Sequence, residues 1–176
     1  MRTHLSLVNQ KLGFASTLLL LAKNFPETES GLKKTQKQAC CEASVSFLYV
    51  AYHFYLRELA ENNRVKNFQA INSIEALGEM LSQIGSSPSE VNEVQDLVND
   101  NGSWLSQMLM QYTSVFTSPL HKKEKKAFGN DNLIELIELG QTDEASSQVF
   151  EVDVIEGWLV KFRALIARQR ETGAEY

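Results

Sequence analysis

Tyr49, His53 and Arg57 follow one another at intervals of four, so on a helix all three share one face. A phenol, an imidazole and a guanidinium side by side could hold an anion or a partner's carboxylate. The plainer alternative is that they form the solvent edge of a mostly buried helix. No other group of residues comes closer to a binding site, and none has the spacing that catalysis needs.

Di-iron bundles place a glutamate three residues before a histidine. Here Met1, Val50 and Ser118 stand at that distance before His4, His53 and His121. Neither Cys-x-x-Cys nor His-x-x-x-His occurs. Cys40 and Cys41 are adjacent, so on a helix their side chains diverge by about 100° and cannot be bridged without strain. They read as small apolar residues. Helical ribonucleases carry an arginine with a histidine about one turn further on, and no arginine here has one. Isolated glycines do not make a phosphate-binding loop. No metal, no cofactor and no catalytic residue is therefore predicted, and the chain reads as not an enzyme.

Charge narrows the partners. Seventeen basic and 22 acidic side chains leave a net charge of −5, whereas nucleic-acid binders usually carry a basic excess. The run Lys122, Lys123, Lys125 and Lys126 is interrupted by Glu124 and reads as a solvated loop, so no nucleic acid is expected.

The elements that must carry these residues are helical. With only three prolines and nine glycines, 176 residues and 43% apolar content, the chain has too few turn signals for an all-β fold and enough apolar surface for one real core. Lys37 to Asn62 reads as the organising element. Its polar stripe is Glu42, Ser46, His53, Arg57 and Glu61, and most of the remaining circumference is apolar, including Phe47, Leu48, Phe54, Tyr55 and Leu56. Such a helix must be covered on several sides. Cys40, Ser44 and Ala51, small and opposite the stripe, predict a close helix approach.

An N-terminal helix from about Leu5 to Asn24 is predicted by Leu5, Val8, Leu12, Ala15, Leu19 and Ala22, spaced by threes and fours. That periodicity argues for a retained structural helix over a signal peptide, and no span of about 20 apolar residues suited to a bilayer is read. A third helix is expected from Asn67 to Gln83, with Gly78 at a tight crossing and Gly85 as its stop. Ser87, Pro88 and Glu90 signal a short fourth helix, Ser103 caps a fifth, and Asp153 and Glu156 open a last one through Arg170. Residues 119 to 132 read as a mobile loop; Leu133 to Leu139 fits a short helix or a short strand equally.

The segments Asn9 to Ala15, Ser103-Trp104-Leu105 and Trp158 to Arg170 resemble an uncharacterised gammaproteobacterial family of small all-helical proteins, a domain of unknown function. The resemblance implies a bacterial, cytoplasmic protein and brings no catalytic residues with it. The absence of a disulfide framework also suits the cytoplasm.

The expectation is an all-α fold: a single-domain bundle, 1–176, of four or five principal helices around a long central one. The function expected is a non-enzymatic protein-interaction or self-association module, with a protein partner or a second copy and no membrane. The alternative is a small-molecule binder with an apolar pocket among the aromatics of the central helix.

Overall fold

Hydroxyl side chains open three of the helices, because a helix start leaves backbone N–H groups without internal partners. Thr3 accepts from the Ser6 amide at 3.3 Å, Ser73 from the Ala76 amide at 3.2 Å and Ser103 from the Ser106 amide at 3.0 Å. A computed structural model describes residues 3–25, 31–116 and 151–173. The expected loop at 119–132 and the segment Leu133 to Leu139 lie outside the described residues.

The described residues are all-α. Helices α1 (His4–Lys23) and α2 (Gly31–Asn62) are followed by a 3-10 turn (Phe68–Ala70). Then come α3 (Ile74–Gln83), α4 (Ser89–Asn99), α5 (Trp104–Ser114) and α6 (Val152–Gly173). Helix α2, 32 residues long, touches α1, α3, α5, α6 and the 3-10 turn. It is the central post.

Helix α1 runs antiparallel to α2. His4 at its start meets Glu61 near the end of α2 (2.9 Å), and Ser44 Oγ lies 3.4 Å from the Ala15 carbonyl at mid-length. Fully buried Ala15, Ser44 and Ala51 allow that closeness, as expected from their size, though Cys41 and not Cys40 is the buried cysteine. Helix α6 also runs antiparallel to α1. Lys23 at the end of α1 is paired with Glu156 (2.5 Å) and Asp153 (4.0 Å) in the first turns of α6. Each helix end is thereby matched in charge to its own dipole.

Three local expectations are corrected. The third helix does not begin at Asn67: that residue adopts a left-handed conformation (φ 66°), and the cap at Ser73 restarts the chain as α3. Ser87 is not the cap of α4. Pro88 occupies that position, and the Ser87 hydroxyl exchanges hydrogen bonds with the Asn92 side chain instead. No tight crossing occurs at Gly78, where a methyl group would meet only the Gln95 side chain at 3.8 Å. Gly85 does stop α3, with φ +68° and the Ser86 amide bonded back to the Leu81 carbonyl at 3.0 Å.

Candidate functional site

The sequence-picked trio holds together only in part. Tyr49 and His53 are in edge contact (4.4 Å), and Tyr49 stacks on Tyr112 of α5 (3.7 Å between centroids, 12° apart). Phe116 closes against Tyr112 at 5.2 Å. The half-buried His53 imidazole is held below its ordinary pKa by burial and, after that, by the Arg57 charge, so it is neutral at pH 7. Burial and Tyr112 together push the Tyr49 phenol up. Arg57 turns away from the other two. Its Nε donates to the Ile71 carbonyl at 3.2 Å, and its guanidinium sits over the Phe54 ring at 5.8 Å. An aromatic seam between α2 and α5 occupies the Tyr49 and His53 end of the face that read either as an anion notch or as a solvent edge. Arg57 pins the segment before α3.

A polar group that the periodicity did not single out lies deeper. Glu58 is only 5% exposed and is held by Arg170 of α6 through two parallel bonds, Nε to Oε1 at 2.7 Å and Nη2 to Oε2 at 2.8 Å. The third arm of the guanidinium donates to Asn9 of α1 at 3.0 Å. One turn away, the Tyr55 hydroxyl donates to buried Gln169, whose amide donates to Glu93 (2.8 Å) and to the Glu90 carbonyl (3.2 Å) of α4. Arg168 completes the pair with Glu93. Burial alone would raise the Glu93 carboxyl, but the bonds from Arg168 and Gln169 outweigh it and hold it low. Burial, with Glu58 after it, drives the Tyr55 phenol well above its ordinary range.

This network ties α1, α2, α4 and α6 together and consumes its own polar groups. Among the described residues, no buried side-chain nitrogen or oxygen lacks a partner. No group of three or more His, Cys, Asp or Glu among them is placed to hold a metal. The network's polar groups bond to one another across four helices, which fixes those helices in place. The sequence signal that could have found it was Glu58. At 100° per residue it falls among the buried positions of α2, where a lone carboxylate demands a partner.

Open hollows occur at the surface. One of about 560 Å³ lies between α3 and α4, lined by Glu75, Gly78, Glu79, Ser82, Asn92 and Gln95. Another, of about 390 Å³, lies by Val98, Leu109, Met110 and Thr113. Six acidic residues and no lysine or arginine occur from Asn67 to Phe116: Glu75, Glu79, Glu90, Glu93, Asp96 and Asp100.

The remaining feature is an apolar face along α1 and α2. Helix α1 buries Val8, Leu12, Ala15, Leu19 and Ala22, while Leu5, expected with them, is exposed. On the other side of α1, Phe14 (42% exposed) and Leu21 (47%) point outward, between half-buried Leu7 and Leu18. Phe47 of α2 packs edge-on against Phe14 (5.3 Å), and Val50 is half-buried beside it. Lys11 lies over both rings, at 5.3 and 5.4 Å. By length and composition α1 is apolar enough to cross a membrane, contrary to the expectation that no such span exists. In the fold it lies along α2.

No curated protein and no solved structure matches the chain. Its whole length, residues 1–176, matches a family described only as a family of unknown function, and the chain belongs to that family, DUF6586.

Proposed function

We propose that this chain is a non-enzymatic interaction module that binds another protein or a second copy of itself through the apolar face along α1 and α2. One observation carries this: α1 is apolar on two sides, yet the described residues cover only one of them. Phe14 and Leu21, two turns apart on one side of α1, are each more than 40% exposed, with half-buried Leu7 and Leu18 in the same row. Scattered exposed apolar residues are ordinary, but a continuous row of them is what an interface leaves when its partner is away.

The runner-up, a small molecule held among the aromatics of α2, has less behind it. Fully buried Tyr55 meets the Phe162 ring edge-on at 6.0 Å, and Trp104 packs on Phe162 at 5.7 Å. Rings pack against one another in the middle of the bundle, and the two hollows described above open outward.

The test is retention. Tagged wild type and Phe14→Glu should be recovered from the native cell and the proteins held by each compared. A module of this kind loses its partner with Phe14→Glu and keeps it with Asp96→Lys on α4. Equal retention by both variants would remove this face from consideration.

A further inference from the structure

We infer that the occupant of the α1/α2 face is a second copy of the same chain, packed with its helices antiparallel to the first about a two-fold axis near Phe14 and Phe47. This rests on the interaction reading above and names its partner.

Size comes first. Twenty residues of α1 at about 1.5 Å each make a face about 30 Å long. Two helices about 10 Å apart make it about 20 Å wide. Each copy then contributes about 600 Å², and the pair about 1,200 Å², the lower end of what specific stable contacts bury.

Charge comes second. In a two-fold contact every patch meets itself. The surface built from α3 and α4 carries Glu75, Glu79, Glu90, Glu93, Asp96 and Asp100 with no basic residue among them, so it would repel its own image. Along the α1/α2 face the charges are few and already engaged: Lys11 lies over two aromatic rings, Arg57 lies over the Phe54 ring, and Glu61 at the far end is paired with His4. A heterologous partner is usually chosen by opposite charge. This face keeps its few charges occupied within the chain, which favours a partner whose matching surface is also mainly apolar.

Shape comes third. Along the exposed side of α2 the side chains run from small at one end, Ala39 and Ala43, to large at the other, Val50 and Phe54, with Phe47 between. Antiparallel apposition centred on Phe47 sets position 43 of one copy across from the Val50 and Phe54 region of the other. Bulky side chains at one end meet small ones at the other, and four helices close a new core.

Sedimentation equilibrium of the full chain across a range of micromolar concentrations tests this. Wild type should approach twice the 19.9 kDa of one chain. Phe14→Glu and Leu21→Glu should each weaken the association by roughly 100-fold, because each buries an unpaired carboxylate in the contact. Both positions are more than 40% exposed in the single chain, so circular dichroism melts should show the fold retained. Met110→Glu, on an exposed site of α5, should leave the association unchanged. A wild type that stays monomeric overturns the inference, as does a dimer that survives both glutamate variants. Failure of the interaction reading is separable. A monomeric wild type that loses a retained protein with Phe14→Glu keeps that reading and removes only the second copy. A monomer with no partner dependent on this face removes both.

Discussion

Arg170 grips Glu58 with two parallel hydrogen bonds, 2.7 and 2.8 Å long, across the contact between α6 and α2. The carboxylate side chain is 6% exposed and the guanidinium 24%, so the pair is shielded but not sealed. Paired in this geometry, two charges can occupy the interior; alone, neither can.

Breaking the pair on one side should therefore be costly. Arg170→Met leaves a buried carboxylate without its cation and is expected to destabilise the fold by about 3–5 kcal/mol. Adding Glu58→Leu to Arg170→Met should recover much of that loss, since an apolar pair of similar volume needs no desolvation. Urea melts of both singles and the double give the coupling directly. A double variant worse than the sum of the singles would mean the network does more than satisfy itself.

Helix α2 should be probed at Leu48 and Phe47, neighbours with opposite burial. Leu48 is fully buried, so Leu48→Ala should cost about 2–5 kcal/mol through the cavity left behind. Sequence periodicity set Phe47 and Phe54 in the core, but both are only half-buried. Phe47→Ala is accordingly expected at about 1–2 kcal/mol in the same melts. The reverse order of the two costs would reject this rotation of α2.

Arg57 looked dispensable on a polar stripe. Its Nε bond to the carbonyl of Ile71, a residue with no exposed surface, changes that. Arg57→Met removes a charged donor from a buried acceptor and should cost about 1–3 kcal/mol. Hydrogen exchange should localise the loss to the segment joining the 3-10 turn to α3. Unchanged protection there would show that the bond does not matter.

His53 predicts a pH dependence with a definite sign. Its folded-state pKa lies below the ordinary imidazole value because burial, and then Arg57, disfavour the charged form. The unfolded chain binds the proton first as pH falls. Stability therefore holds above about pH 6.5, falls as pH descends from there towards the folded pKa, and levels off below it. Glu93 adds a loss at more acid pH: its folded pKa is depressed, so its contribution disappears as pH falls through that lower value. His53→Gln should flatten the first drop, which begins near about pH 6.5, and leave the acid limb. Thermal melts across pH resolve the two.

The residues from Lys37 to Asn62 determine on their own that a central helix exists, because an apolar circumference that wide can only be satisfied by neighbours on several sides. Ser103 was legible as a cap for a similar local reason, since a hydroxyl near an amide three residues on needs no distant partner, whereas the caps at Thr3 and Ser73 went unread. Gly85 is legible because a left-handed stop suits glycine whatever lies around it.

Periodicity says that a face is covered without saying by what, and there the tertiary structure decided. Tyr49, His53 and Arg57 share a helix face, but Tyr112 from α5 claims the first and the Ile71 carbonyl claims the third. Neither partner can be deduced from spacing along α2. Glu58 and Arg170 stand 112 residues apart, and only the packing of α6 on α2 makes them a pair. The apolar residues of α1 were visible, whereas which of its sides would be left open was not. Exposure is set by where neighbouring helices stop, and a helix's own sequence carries no record of its neighbours' lengths.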